Sequence, residues 1–376
     1  DLKRLLAYSS IENIGIILLG LGAALVFGSL EMPSLMLLAL IACLYHTANH
    51  AVFKALLFLG AGSVAHATHT RNIEEYGGLI KTLPWTAFCF LIGAMAISGL
   101  PPFNGFVSEW MTFQALFAGL SSSSIVLTII GIVGIASLAF TGGLAAACFV
   151  KAFGATFSAV PRSEAAAHAK ECGTSMRFGM AGLAFLSLLL GIGAGSVTPV
   201  LSRVAQNISG LTGTVPALQA TVLTVSARDQ FAIISMPMIA LVFGGLLLFV
   251  TGVVYVFTRR QKVTRDRTWD CGAPLRPRTE ITSTGFSWSL MTIFQFLMRP
   301  SKRITIEYAD DAHYVPVARR IELGFFDAYD AYLYAPVKNI TERVSQTAKK
   351  IQSGNVNEYI LYIAITLAVL LIWISF

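Results

Sequence analysis

Charged residues are scarce in this sequence. Asp, Glu, Lys and Arg make up 12% of its 376 residues, and 55% are hydrophobic, whereas a soluble domain averages about 25% charged residues. This composition excludes an ordinary water-soluble globular protein. Several apolar runs also exceed the roughly 20 residues that a membrane-spanning helix needs. We therefore expect an all-α, multi-pass helical bundle in the lipid bilayer of the cell (inner) membrane.

Cysteine pairs with metal-binding spacing are missing as well. The five cysteines are Cys43, Cys89, Cys148, Cys172 and Cys271, and they include no CxxC pair, the spacing that zinc and redox sites commonly use. Most of them lie in apolar runs, where a free thiol behaves as a small hydrophobic side chain. We predict no metal, no cofactor and no disulfide framework, which argues against a redox enzyme in its own right.

Positive charge is confined to particular loops. The net charge is +7, but the aromatic-plus-basic pattern of a nucleic-acid binder is absent, so we predict no nucleic acid partner. By the positive-inside rule, basic loops face the cytoplasm; they contain Lys3, Arg4, Arg71, Lys81, Arg162, Lys170, Arg177 and the run from Arg259 to Arg267. The chain begins at Asp1 without Met or a signal peptide, and we interpret it as the C-terminal part of a longer protein.

Seven apolar runs predict the membrane segments. They cover approximately residues 6–30, 32–65, 83–119, 125–157, 178–197, 233–257 and 359–376. Residues 201–230 are rich in Ser and Thr and predict a non-cytoplasmic loop. We divide the chain into a first helical region (1–157), two further helices with loops (158–258), a basic amphipathic region (259–355) and a last anchoring helix (356–376).

Titratable residues interrupt the second apolar run. His46, His50 and Lys54 follow one another at four-residue intervals. On an α-helix this spacing rotates each residue by only about 40° and separates neighbours by roughly 6 Å. Ionisable residues at bilayer depth are costly and usually mark an ion or proton path. The pattern predicts a proton relay on one helix face, with hydrogen bonding between helices as the alternative role of the two histidines.

A helix-breaking motif interrupts the third run. The sequence Gly99-Leu-Pro-Pro-Phe-Asn-Gly105 contains Pro101 and Pro102, and prolines break the helical hydrogen-bond ladder. Irregular backbone at membrane depth is tolerated only inside protein or beside a water cavity, and transporters build ion sites on discontinuous helices. We predict a discontinuous helix, with Glu109, about one turn beyond the break, in the ion path. A structural carboxylate is the alternative.

The region from 259 to 355 has a different character. Trp269-Asp-Cys-Gly272 opens a loop that we expect to dock a partner subunit. Phe286 to Met298 is predicted to form a short amphipathic segment. Arg319 to Gln352 mixes aromatic and basic residues. Such a mixture is typical of helices that lie in the headgroup plane. It predicts an interfacial helix or pair of helices there.

Three motifs, in this order, resemble those of the antiporter-like subunits of complex I, membrane-bound hydrogenases and multisubunit Na⁺/H⁺ antiporters. They are the start Asp1-Leu-Lys-Arg-Leu-Leu-Ala-Tyr-Ser-Ser10, the His46–Lys54 helix and the stretch from Gly99 to Glu109. Together they cover roughly Asp1 to Lys151. Within this family, Glu12-Asn-Ile-Gly15 and Trp269-Asp-Cys-Gly272 are similar to the hydrogenase-4 and formate hydrogenlyase branch.

The resemblance implies that the chain holds most of the second of two inverted five-helix repeats. It implies that His46, His50 and Lys54 form a central polar axis and that Glu109 replaces the key lysine or glutamate of the broken helix. From the charge topology, Lys3 and Glu12 lie near the cytoplasmic entrance, and we predict that both belong to the proton relay. A lysine that snorkels to the interface is the alternative for Lys3.

The residues and the resemblance together predict a mechanism. Lys54, His50 and His46 pass protons to Glu109, and a change of charge at one site shifts its neighbours. The predicted function is a proton-translocating subunit of a membrane-bound hydrogenase or formate hydrogenlyase, whose partners are other membrane subunits and a soluble redox arm. The alternatives are exchange of protons for sodium ions in an antiporter or complex I-type subunit, and a passive scaffold for a redox arm.

Overall fold

A computed structural model describes residues 1–120, 125–210, 218–220, 225–227, 232–261, 277–308, 316–327, 329–349 and 354–375. The chain forms two compact units, Asp1–Thr284 and Gly285–Phe376. Within the described residues, six helices are long and apolar enough to cross a membrane. The predicted all-α, multi-pass membrane protein is confirmed.

The first unit is built from helices. They are α1 (Leu2–Ser29), α2 (Pro33–Thr68), α3 (Pro84–Ile97), α4 (Asn104–Gly119), α5 (Ile125–Phe157), α6 (Glu164–Ala167), α7 (Thr174–Ile192), α8 (Ala194–Ser209) and α9 (Met236–Thr258). Three short antiparallel strands, β1 (Leu218–Ala220), β2 (Val225–Ala227) and β3 (Ala232–Ile234), pair in the order β1-β2-β3.

The second unit combines helices with a β-hairpin. Helix α10 (Ser283–Ile293) begins at the boundary between the units and is followed by α11 (Gln295–Met298). Strands β4 (Ser301–Tyr308) and β5 (Pro316–Gly324) pair antiparallel, with Ile304 opposite Ile321. A π-helical turn leads into α12 (Ala335–Lys349), and α13 (Val356–Ser375) is the last spanning helix.

Helix α2 lies at the centre of the first unit and packs against α1, α3, α4, α7 and α8. Pro33 starts it at a position where the missing backbone N–H costs nothing. Its apolar side chains Ile41, Phe53 and Leu57 are fully buried. By contrast, α9 and α13 keep apolar side chains exposed along their length, as expected of helices that face lipid or other subunits. The polar side chains of His46, Asn49 and Lys54 on α2 are buried within the protein.

The discontinuous helix predicted between residues 83 and 119 is confirmed. Helix α3 ends at Ile97 and α4 begins at Asn104, with both prolines between them. Gly99 has φ +60, a left-handed conformation that favours glycine. A side chain at Gly105 would overlap the carbonyl oxygen of Ala96, so only glycine lets the two half-helices approach this closely.

Two expectations about secondary structure are wrong. The predicted span 178–197 instead divides into α7, which ends at Ile192, and α8, which continues to Ser209. The residues from 201 to 209 are thus helical, although they were expected to form a loop. Gly193 separates the two helices. A side chain at Gly191, in the last turn of α7, would overlap the Pro102 carbonyl oxygen, so α7 ends where it meets the break.

The second wrong expectation concerns the start of the interfacial helix. The residues from Arg319 to Gly324 belong to strand β5, because they pair with the first residues of β4. Helix α12 begins only at Ala335. It carries the basic residues Lys338 and Arg343, and together with the π-helical turn Asp330–Tyr334 it forms the helical part of the expected range among the described residues.

Candidate functional site

His46 lies where α1, α2 and α4 meet. Its side chain is 1% exposed. The imidazole Nδ1 is 3.0 Å from Ser108 Oγ on α4, and Nε2 is 3.2 Å from Asn13 Oδ1 on α1. Asn49, also on α2, donates from Nδ2 to the same Ser108 Oγ at 3.1 Å. Polar groups of both neighbouring helices therefore hold the ring of His46.

Lys54 is also buried on α2, at 6% exposure. Its Nζ donates to the Leu6 carbonyl oxygen at 2.8 Å and to Ser9 Oγ at 2.5 Å. Within the described part of the chain, Lys54 forms no ion pair. Glu12 is the acidic side chain close enough for its charge to interact with the ammonium group. Lys54 thus faces α1, as His46 does.

His50 lies between these two residues and is partly buried. Its ring packs edge-on against Phe53, with ring centroids 5.6 Å apart. Its Nε2 is buried and has no hydrogen-bond partner among the described residues. His50 is close enough for its charge to interact with both His46 and Lys54. His46, His50 and Lys54 are therefore linked through charge and form no direct hydrogen bonds with one another among the described contacts.

The carboxylate of Glu109 lies beside the helix break. A methyl group added at Gly99 would lie 2.7 Å from Glu109 Oε2, and one added at Gly142 of α5 would lie 4.0 Å from it. Glu12 on α1 is close enough to interact with Glu109 by repulsion and with Lys54 by attraction. Glu12 therefore connects the central helix α2 with the broken helix through its charge.

The structure shows fewer contacts for the other residues that the sequence predicts for the site. Lys3 is partly buried in the first turn of α1 and has no hydrogen bond or ion pair with a described residue. Its role stays a prediction. Pro101 and Pro102 lie in the linker of the break, where their side chains are partly buried. The motif Trp269-Asp-Cys-Gly272 lies outside the described residues.

Sequence reasoning missed the neutral polar partners. Ser9 and Asn13, four residues apart on one face of α1, are buried together with Asn49 and Ser108. A helix-spaced pair of small polar residues in an apolar run is a signal that was available for Ser9 and Asn13. No signal local to Ser108 indicates that it contacts His46, which is 62 residues away in the chain.

The break itself is attached to α2 and α7 by buried hydrogen bonds. Asn104, the first residue of α4, accepts from Ser187 Oγ at 2.7 Å through Oδ1. Its backbone carbonyl accepts from Asn49 Nδ2 at 2.8 Å. These bonds join the first residue of α4 to α2 and α7. They fix the start of α4, and with it the position of Glu109.

The fold and the site together define a class. A helical bundle that buries a lysine and a histidine, and partly buries a second histidine and two glutamates next to a discontinuous helix, has the construction found in ion-translocating membrane proteins. Residues 1–137 match the family model described as NADH:quinone oxidoreductase/Mrp antiporter, TM. Over that range the chain is similar to this antiporter-like family, as the motifs predicted.

Two relatives from Escherichia coli (strain K12) match most or all of the chain. Hydrogenase-4 component B is 35% identical over 380 residues, which is 100% of this chain and 56% of that protein. Formate hydrogenlyase subunit 3 is 36% identical over 304 residues, 80% of this chain and 47% of that protein. The chain thus spans about half the length of the curated relatives it matches. It is similar to antiporter-like membrane subunits of respiratory-type complexes.

A solved structure has a similar fold. The membrane-bound sulfane sulfur reductase, an archaeal respiratory membrane complex, contains a chain that superposes with a TM-score of 0.60 at 20% sequence identity. The match covers 96% of this chain and 55% of that chain. At this identity the similarity concerns the fold alone.

Proposed function

We propose that this chain translocates protons as an antiporter-like subunit of a membrane-bound hydrogenase or formate hydrogenlyase complex. One observation carries the proposal: the ammonium group of Lys54 is buried between α2 and α1, where it donates to Ser9 Oγ, and the carboxylate of Glu109 lies beside Gly99 at the helix break. Charged groups inside a membrane are costly, and an inert scaffold needs none of them. The 35% identity to hydrogenase-4 component B over the whole chain supports the choice of complex.

The proposed path runs from Lys54 through Glu12 to Glu109, with His50 and His46 beside it. Lys54 and Glu12 attract each other, so gain or loss of a proton at one changes the affinity of the other for a proton. Glu12 and Glu109 repel each other, so their protonated states are also linked. Because these side chains form no ion pair at contact distance within the described residues, water completes the path between them. Protons leave from Glu109 at the break.

The proposed partners follow from the relatives' names. The chain assembles with other membrane subunits in the cell (inner) membrane and serves a soluble redox arm that supplies the driving reaction. Within the described residues, no group of three or more His, Cys, Asp or Glu side chains is arranged to hold a metal ion.

The test uses the complete complex reconstituted in liposomes with a pH-sensitive dye inside. Lys54→Ala and Glu109→Gln should each lower proton translocation by about a hundredfold or more, the range for removing a positioned acid or base. Lys81→Ala and Glu164→Gln are the matched controls, since both side chains are exposed; they should translocate normally. Normal translocation by an intact complex that carries Lys54→Ala or Glu109→Gln would overturn the proposal.

Sodium is the second candidate ion, because the matching family description includes the Mrp antiporter. The same liposomes, loaded with a sodium-sensitive dye, distinguish the two ions. Proton translocation that is independent of sodium supports the proposal. An obligatory sodium flux in the opposite direction to the protons would favour antiport instead.

A further inference from the structure

The Ser108 hydroxyl lies at a branch point of the buried polar network. Its Oγ is 3.0 Å from His46 Nδ1, 3.1 Å from Asn49 Nδ2 and 3.0 Å from the carbonyl oxygen of Gly105. Ser108 is fully buried, so these three groups are its described partners. A hydroxyl has one proton to donate and two lone pairs that accept. Since Asn49 Nδ2 can only donate, the hydroxyl proton goes either to His46 or to Gly105.

The other side of the imidazole determines which bond forms in the neutral state. Asn13 Nδ2 donates to the Ser9 carbonyl oxygen at 2.8 Å, which turns Asn13 Oδ1 toward His46 Nε2. An oxygen that only accepts requires a proton on Nε2. Neutral His46 then has no proton on Nδ1, and Nδ1 accepts the hydroxyl proton of Ser108. Each hydrogen bond in this arrangement has one donor and one acceptor.

Protonation of His46 reverses the Ser108 bond. The added proton binds at Nδ1, so both ring nitrogens donate and Ser108 Oγ must accept. The hydroxyl proton then turns to the Gly105 carbonyl oxygen, and no covalent bond breaks. In a regular α-helix this carbonyl also accepts the backbone N–H of the residue four positions later, which is Glu109. The two states of His46 therefore differ in the hydrogen bonding of the turn that carries Glu109.

We propose that Ser108 is a positioning residue that transmits the protonation state of His46 to the broken helix at Glu109. The inference rests on the proposed function and assigns Ser108 a role in it. Ser108 takes up no net proton. Its hydroxyl proton has two acceptors, Nδ1 of His46 and the Gly105 carbonyl oxygen, and the charge on His46 selects between them.

Other ionisable groups lie close in the sequence to His46, Asn13 and Ser108, the residues of this hydrogen-bond network. His50 is on the same helix as His46, Glu12 adjoins Asn13 on α1, and Glu109 adjoins Ser108 on α4. All three are retained when Ser108 is replaced, so an effect of the replacement is not caused by a lost charge. Without the hydroxyl, protonated His46 loses the acceptor for its Nδ1–H. Hydrogen bonds to a charged group are stronger than those between neutral groups, so protonation then requires a lower pH.

The experiment measures proton translocation by the complete complex in liposomes as a function of pH. Ser108→Ala should lower the rate about tenfold and shift the pH profile by about one unit toward acid, as expected from a lost charge-assisted hydrogen bond. Ser108→Cys keeps nearly the native volume with a weakly bonding thiol and should behave like Ser108→Ala. Ser108→Thr keeps the hydroxyl and should retain the native profile. Thr112→Val is the control, because the Thr112 hydroxyl is buried one turn away and bonds to the backbone oxygen of Ser108.

The outcomes separate this inference from the proposed function. If His46→Gln and Lys54→Ala abolish translocation while Ser108→Ala and Ser108→Cys keep the native pH profile, Ser108 has no such role and the proposed function stands. A shift of equal size in Thr112→Val would attribute the effect to loss of any buried hydroxyl and would also overturn the role of Ser108. Normal translocation by Lys54→Ala would overturn both.

Discussion

At the scale of single residues, Glu12 joins two parts of the candidate site. It is partly buried in α1 and interacts through its charge with Lys54 on α2 and with Glu109 on α4. The sequence predicted Glu12 as a relay residue near the cytoplasmic entrance, without indicating which residues of other helices lie close to it. Its connection to both helices depends on how α1 packs against them. That packing is a property of the fold rather than of the local sequence.

We expect Glu12→Gln to uncouple Lys54 from Glu109. The amide keeps the shape and some hydrogen bonding but removes the charge. Proton translocation should fall about tenfold, the change that corresponds to roughly 1.4 kcal/mol of lost interaction. Stopped-flow measurement of dye-loaded liposomes that contain the complex tests this, and Glu164→Gln serves as the exposed control. An unchanged rate in Glu12→Gln would remove Glu12 from the path.

At the scale of secondary structure, the break between α3 and α4 was predictable and the partners of the break were not. Two prolines and two glycines in seven residues interrupt a helix, so Gly99 to Gly105 indicates the break on local grounds. The hydrogen bonds from Asn49 and Ser187 that fix Asn104 link residues far apart in the chain. Sequence periodicity contains no information about them.

For the C-terminal hairpin of β4 and β5, the secondary structure predicted from the sequence was wrong for a different reason. Ile304, Ile306 and Tyr308 alternate with polar residues in β4, which is the two-residue period of a strand. This alternation indicates a strand from the sequence alone. The basic residues Arg319 and Arg320 lie together in β5, where their spacing with nearby aromatic residues suggested a helix. Pairing with β4 decides the conformation of this segment, which is why β5 was mistaken for the start of a helix.

Gly105→Ala should destabilise the break. The added methyl group would overlap the Ala96 carbonyl oxygen, so the ends of α3 and α4 must move apart. Overpacking of this kind costs about 1–3 kcal/mol, and thermal unfolding of the purified complex should show a lower midpoint. Gly182→Ala is the control, since nothing lies within 4 Å of the added methyl group in α7. Equal stability of Gly105→Ala and Gly182→Ala would contradict the close approach of the two half-helices.

At the scale of the whole molecule, a buried ion pair outside the helix bundle joins distant segments of the first unit. Arg162 Nη1 lies 3.6 Å from Glu280 Oε2, and the side chains are 6% and 12% exposed. The guanidinium also donates to the carbonyl oxygens of Ile73, Glu74 and Ala155. The loop after α2, the end of α5 and the segment before α10 are therefore held together by a single arginine.

Arg162→Ala should destabilise the first unit by about 3–5 kcal/mol, because it leaves Glu280 as an unpaired buried charge. Proton translocation per assembled complex should stay the same, since Arg162 is not part of the proposed path. Thermal unfolding and the yield of assembled complex measure the effect. Lys338→Ala breaks an exposed pair with Glu342, 3.8 Å apart, and should change stability by less than about 1 kcal/mol. A loss of similar size in both variants would contradict the structural role of Arg162.

The most direct test of the central claim is the number of protons translocated per electron transferred in the assembled complex. With Lys54→Ala, the account predicts a lower proton-to-electron ratio while electron transfer continues, because the buried charges move protons and carry no electrons. With Lys81→Ala the ratio should equal that of the native complex. An unchanged ratio in the Lys54→Ala complex would contradict the claim that this buried axis is the proton path.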